Sequence, residues 1–258
     1  ASEFRHNDPL VDEKTLMIVI SQSGETADTL AALREAKTKG ATVLAVTNVV
    51  GSSIAREADE VLYTWAGPEI AVASTKAYVT QLIAMYLISV DIATKIDTIK
   101  TEEKTEIIKA LQELPEKIKE ILKSENLIKD WAKDISKWDD VYFIGRGLDY
   151  SVAQEGQLKL KEISYIHAEA LAAGEMKHGT IALIEEGIPI IALATQKFLF
   201  EKMLSNIQEV QARGADVSAL AVEGNEEIEK SVEKVVYIPK IFPLLAPVLS
   251  VVPLQLLA

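Results

Sequence analysis

The chain of 258 residues has no cysteine. Disulfides, thiolate metal sites and a cysteine nucleophile are therefore excluded within it. Histidine is scarce, and His6, His167 and His178 do not make a zinc pattern, so no metal site is expected. Basic charge is short as well: 27 Lys and Arg stand against 39 Asp and Glu, for a net charge of −12. With no Lys/Arg cluster to offset that balance, binding to a nucleic-acid backbone is excluded. A small phosphate ester is not, because backbone N–H groups and hydroxyls can hold one in an acidic protein. Between Ile241 and Ala258 there is no charge at all, which raises the question of a membrane span. Pro243, Pro247 and Pro253 each remove a backbone donor there, so the stretch reads as buried core and no membrane partner is expected. No signal-peptide pattern is found, and the reading is a cytoplasmic protein.

The content that is present, 48% hydrophobic and 26% charged, is ordinary for a globular protein, and the length suffices for one large or two small domains. The segment LMIVISQSGETADTLAALREAKTKGATVLAVTN (16–48) repeats, without a gap, as IIALATQKFLFEKMLSNIQEVQARGADVSALAVEG (190–224). One constant offset relates Gln22 to Gln196, Leu30 to Leu204, Glu35 to Glu209 and Gly40 to Gly214, and also TQLIA (80–84) to LQLLA (254–258). Each copy reads strand, loop, helix, strand. LMIVI is a continuous apolar run, as expected of a parallel strand covered on both faces. The helix that follows carries Leu30 and Leu33 on one face and stops at Gly40. Strands alternating with helices predict an α/β fold: two tandem three-layer α/β/α sandwiches with parallel sheets, joined by helices.

The expected division is a first domain over 1–100, linking helices over 101–138 and a second domain over 139–258. Residues 101–138 are charged, helical in pattern and poor in glycine and proline, which excludes a flexible linker. VYFIGRGLDYSVAQEGQLKLKEIS (141–164) reads as strand, glycine turn and helix, and its partner at the same offset would precede residue 1. The first domain is thus expected to lack its opening strand, loop and helix. The last helix of the second domain is likewise expected to be cut short.

SQSGETADT (21–29) follows a buried strand and opens a helix. Ser21, Ser23 and Thr26 supply hydroxyls, Gly24 admits close backbone approach, and the helix N-terminus adds N–H groups and partial positive charge. A phosphate monoester suits that set; a helix N-cap with spare hydroxyls is the alternative. The second copy reads TQKFLF (195–200), so the fold itself does not require the hydroxyls. GRG (145–147) begins like a dinucleotide fingerprint but lacks the third glycine and a ribose-binding acid. Glu155, Lys159 and Glu162 fall on one helix face, either as a solvated salt-bridge ladder or as a carboxylate base beside a cation. His178, between glycines and next to Lys177, is a candidate acid–base group on a loop. In STKAY (74–78), Ser74 and Thr75 either cap a helix or bond a ligand hydroxyl.

Together, SQSGETADT, GSSIARE (51–57), EIAVASTKAY (69–78), LKLKEISYIHAEA (158–170) and GEMKHG (174–179) closely resemble the isomerase half of the glucosamine-6-phosphate synthases, over essentially the whole chain. The resemblance implies two sugar isomerase (SIS) domains and no metal or organic cofactor. It implies that Ser21, Gln22, Ser23 and Thr26 hold the 6-phosphate of fructose 6-phosphate. Val72, through its backbone, and Ser74 contact the sugar. Glu162 moves a proton between C1 and C2 with Lys159 nearby, and His178 assists ring opening from the second subunit of a homodimer. The whole enzyme of this family takes ammonia from glutamine through an amino-terminal glutaminase domain of the same chain, and releases glucosamine 6-phosphate. That domain, the first SIS loop and the carboxy-terminal tail with its Schiff-base lysine have no counterpart in these residues, so the residues alone are expected to be inactive. Two other readings are a sugar isomerase, deaminase or deglycase built on the same domain, and a sugar-phosphate-sensing regulator. The regulator would carry a basic helix-turn-helix segment, and none is visible.

Overall fold

The computed structural model describes all 258 residues. They form two compact units, Ala1–Ile99 and Lys100–Ala258.

The first unit runs β1 (Leu16–Ser21), α1 (Ala27–Thr38), β2 (Thr42–Thr47), α2 (Ser53–Glu57), β3 (Glu60–Tyr63) and α3 (Lys76–Lys95). The three strands are parallel, in the order β1-β2-β3. Leu33 and Ala36 of α1 are fully buried against Val19, Val43, Ala45 and Ile54. The helix ends in a Schellman arrangement: the N–H of Ala41 bonds the Ala36 carbonyl at 3.1 Å and that of Gly40 the Lys37 carbonyl at 3.0 Å. Gly40 has φ +92°, which explains the glycine. The expectation that β1 is covered on both faces is not met. Val19 and Met17 face α1, but Leu16 and Ile20, on the opposite face, are 48% and 42% exposed. α3 is long and apolar enough to cross a membrane by length and composition alone, and its fully buried residues are Ala77 and Ala84.

The second unit opens with α4 (Thr101–Leu122) and α5 (Glu125–Ile135). It continues with β4 (Asp140–Gly145), α6 (Leu148–Ser164), β5 (His167–Ala172), β6 (Pro189–Ala194), α7 (Phe200–Gln211), β7 (Asp216–Val222), β8 (Lys234–Ile238) and α8 (Ala246–Leu257). Its five strands are parallel, in the order β5-β4-β6-β7-β8. α7 covers one face with Met203, Ile207 and Val210. On the other face Gly156 lets α6 close on Phe143 of β4 and Leu254 of α8, where a Cβ would lie 3.0 Å from the ring and 2.7 Å from the leucine. That makes three layers. α4 and α5 contribute apolar stripes, Ile107-Ala110-Leu114 and Ile128-Trp131-Ile135, and both pack on α8. The uncharged carboxy-terminal stretch is therefore the core of this unit: ten of the twelve residues of α8 are buried.

The repeat is visible in space. Leu44 pairs with Glu60 in the first sheet and Ser218 with Lys234 in the second, each residue displaced by the same offset. The β6–β7 pairing is shifted by one residue relative to β1–β2. Gly214, with φ +90°, repeats the Schellman end of α1 at the end of α7. In the second unit the chain leaves β4 to one side for β5 and then crosses to β6 on the other. That is a topological switch point, where open parallel sheets form a crevice at the carboxyl ends of their strands.

Candidate functional site

β1 delivers Ser21 at its carboxyl end, and the chain turns through Gly24, whose φ is +66°, into α1. The turn is tight: a Cβ on Gly24 would collide with the Ser52 side chain. The Gly24 N–H donates to Ser21 Oγ at 3.1 Å, the Ser21 and Thr26 hydroxyls bond at 2.9 Å, and the Glu25 N–H donates to Ser23 Oγ at 3.2 Å. The Gln22 carbonyl is held by the Asn48 N–H at 3.1 Å, and the Gly24 carbonyl by the Ile54 N–H at 2.9 Å. The loop is thus fixed before any ligand arrives. Thr26 is the N-cap residue of α1, yet its hydroxyl does not cap the helix. The first-turn N–H groups of α1, which a helix cannot satisfy internally, have no side-chain cap. Three hydroxyls and a helix N-terminus converge on one turn, an arrangement suited to a dianionic phosphate.

Around the loop, Glu25 accepts the Ser53 N–H at 2.7 Å and so caps α2. Bonding to Ser53 is the main cause of its lowered pKa. Ser52 Oγ is buried behind Gly24 and has no hydrogen-bond partner.

Val72 is almost fully exposed, and its carbonyl accepts the Ser74 N–H at 3.1 Å. Ser74 and Thr75 do not cap α3 with their hydroxyls. Glu69 does that work: its Oε2 accepts the Ala77 N–H at 3.0 Å, the Thr75 N–H at 3.3 Å and the Ser74 hydroxyl at 3.5 Å. Glu69 was not singled out by the sequence, since a carboxylate eight residues ahead of the N–H it caps has no local signature.

In the second unit, α6 brings Glu155, Lys159 and Glu162 together. Lys159 Nζ lies 3.2 Å from Glu155 Oε1 and 3.2 Å from Glu162 Oε2. This is not a solvated ladder. The Lys159 side chain is 4% exposed and that of Glu155 12%, while Glu162 opens to solvent at 39%. Burial raises the pKa of Glu155 against the pull of Lys159. A buried cation therefore sits beside an accessible carboxylate. His178 ends a 3-10 turn, Ala173–His178, and is exposed. Its neighbour Lys177 is committed to Glu209 at 2.7 Å.

The GRG turn proves to be a requirement of the fold. A Cβ on Gly145 would lie 2.6 Å from the Asp149 backbone, and Gly147, at φ +56°, is the N-cap of α6. In the first turn of α6, Asp149 is 2% exposed. Its carboxylate crosses the switch point to the loop after β6. Oδ2 accepts the N–H of Thr195 at 2.8 Å and of Gln196 at 3.3 Å, and Oδ1 accepts the Thr195 hydroxyl at 2.5 Å. Burial pushes its pKa up, partly opposed by these bonds.

Two parallel-stranded α/β units repeated at a fixed offset, the first with a hydroxyl-lined turn after its leading strand, define a tandem SIS-type protein. The chain belongs to the SIS domain family, whose model matches residues 1–90 and 134–258. Over all 258 residues it is 64% identical to the glutamine–fructose-6-phosphate aminotransferase [isomerizing] of Caldanaerobacter subterraneus, and spans 42% of that protein's length. It matches the SIS isomerase part of that enzyme. Among solved structures, it superposes on the C-terminal domain of glucosamine-fructose-6-phosphate aminotransferase from Francisella tularensis with a TM-score of 0.94 and 40% identity, over 99% of this chain and 73% of that one. Glucosamine-6-phosphate deaminase from Thermotoga maritima shares the fold, with a TM-score of 0.75 at 24% identity over 99% of this chain and 72% of that one.

Proposed function

We propose that this chain is the sugar-phosphate isomerase portion of a glutamine-dependent glucosamine-6-phosphate synthase. Ser21, Gln22, Ser23 and Thr26 bind the 6-phosphate of fructose 6-phosphate, and the Val72 backbone and Ser74 orient the sugar. Ammonia released from glutamine by the glutaminase domain of the parent chain replaces the C2 carbonyl oxygen, which leaves as water. Glu162 then takes a proton from C1 and returns it to C2 while the C1 hydroxyl proton passes to the imine nitrogen, giving the C1 aldehyde and C2 amine of glucosamine 6-phosphate. Lys159, fixed between Glu155 and Glu162, supplies positive charge beside that carboxylate. His178 assists ring opening from the partner subunit of a homodimer, a role compatible with its exposed turn. The same reading takes the enzyme as cytoplasmic.

One observation carries the reading. The Ser21–Thr26 hydroxyls are preorganised by bonds within their own turn and are not consumed in capping α1. Replacing Ser21 and Ser23 by alanine removes charge-assisted hydrogen bonds worth about 1.5–3 kcal/mol each. Calorimetry on the parent enzyme is expected to record at least a tenfold loss of fructose 6-phosphate affinity. Undiminished affinity in the double variant would locate the phosphate elsewhere.

A further inference from the structure

The two copies of the repeat treat the same position in opposite ways. At the fixed offset between them, Ser21 and Gln22 of the first copy become Thr195 and Gln196 of the second. Both pairs stand where a leading strand, β1 or β6, gives way to the loop before a helix. In the first copy the hydroxyls of this turn bond to one another and to the turn's own N–H groups. In the second, two backbone N–H groups and a hydroxyl converge on the Asp149 carboxylate. They receive an anion, and that anion belongs to the protein.

Where Asp149 lies gives this its meaning. It comes from the element after β4 and reaches the loop after β6, and β4 and β6 flank the switch point of the five-stranded sheet. That crevice is where open α/β sheets characteristically bind ligands. Here it is closed: Asp149, Thr195 and Gln196 are 2%, 6% and 3% exposed. A carboxylate held by two N–H groups and a hydroxyl has the bonding pattern of an anion in such a loop. Without those three donors, a carboxylate this deeply buried would be strongly disfavoured.

We propose that Asp149 is a built-in anion that fills the second copy's ligand position and thereby confines the phosphate ester to the Ser21–Thr26 loop. Asp149 is a specificity-determining residue in this sense: it decides which of two homologous loops accepts the substrate class. The inference rests on the reading of Ser21–Thr26 as the phosphate loop. It predicts one anion site in the chain as it stands, and a second once the carboxylate is removed.

The experiment uses the full chain, labelled with nitrogen-15, as wild type, Asp149→Gly and Asp149→Ala. Each is titrated at neutral pH with inorganic phosphate and with formate, the free counterpart of the lost carboxylate, and with chloride as an ionic-strength control. In the wild type, phosphate is expected to move the amide signals of residues 22–26 and leave those of Thr195 and Gln196 in place. In the Asp149 variants, formate or phosphate is expected to shift the Thr195 and Gln196 amides saturably, and to raise the melting temperature where chloride does not. Folded variants whose Thr195 and Gln196 amides ignore both anions would overturn the proposal and leave Asp149 as a tie between β4 and β6. Variants that neither anion restores to the folded state would overturn it equally. The signals of residues 22–26 report separately: if they are silent in every sample, the first loop's assignment fails, while the second-loop result still decides the role of Asp149.

Discussion

Residues of one chemical type have divergent fates in this chain, and burial with partners decides which. Asp149 is buried and Glu155 partly buried, and burial raises the pKa of both. Glu162 shares Lys159 with Glu155 but keeps access to solvent, which a proton-transfer base requires. Glu162→Gln keeps the shape of the group and removes the proposed base. In the parent enzyme it is expected to lower turnover by on the order of 10²–10⁴ while leaving sugar-phosphate affinity within about threefold. Steady-state kinetics alongside calorimetry separates the two, and near-normal turnover would remove Glu162 from the chemistry. A different carboxylate contributes to acid stability. Asp134 on α5 bonds Lys234 on β8 at 2.9 Å and Lys137 at 3.0 Å, and these lysines pull its pKa from 3.8 to about 2. A carboxyl group whose pKa is depressed by folding stabilises the native state above the unfolded value, and loses that contribution as pH falls through the folded value. Thermal melts from about pH 4 down to about pH 2 are therefore expected to fall more steeply for the wild type than for Asp134→Asn. Parallel curves would show that the cluster contributes nothing.

Among the elements, the strand–turn–helix of the first copy was the most legible part of the sequence. An apolar run, a Ser/Gly/Thr turn and a glycine-stopped helix are all local signals, and β1, the turn and α1 follow them closely. Gly24 is the hinge of that element. Its φ of +66° and its contact with Ser52 leave no room for a side chain. Gly24→Ala is expected to strain the turn by about 1–3 kcal/mol. Fructose 6-phosphate affinity would fall with it, since the hydroxyls would lose their arrangement. A variant with unchanged melting temperature and affinity would mean that the turn relaxes freely. Less legible were the bonds between elements. The Asp149–Thr195 bond spans 46 residues, and neither residue type announces the other. Glu69 caps α3 across eight residues, so of the two roles the sequence left open for Ser74 and Thr75, capping is not the one their hydroxyls take. The helical spacing of Glu155, Lys159 and Glu162 gave the face but not its depth, because burial there depends on what α6 packs against. The open face of β1 likewise follows from what covers the strand, which an apolar run does not encode.

For the molecule as a whole, the fixed offset between the two copies organises both architecture and function. It correctly paired β1 and β2 with β6 and β7, and it isolated the hydroxyl turn as something one copy has and the other does not. The central claim is that the first copy is a sugar-phosphate site, and that the phosphate is what it recognises. The most direct test is a calorimetric titration of the parent enzyme with fructose 6-phosphate and, separately, with fructose. The account predicts saturable binding of the phosphate ester, competition by inorganic phosphate, and binding of free fructose weaker by a factor of about 100 or more, the equivalent of one to two charge-assisted hydrogen bonds. Equal affinity for the sugar and its phosphate would contradict it.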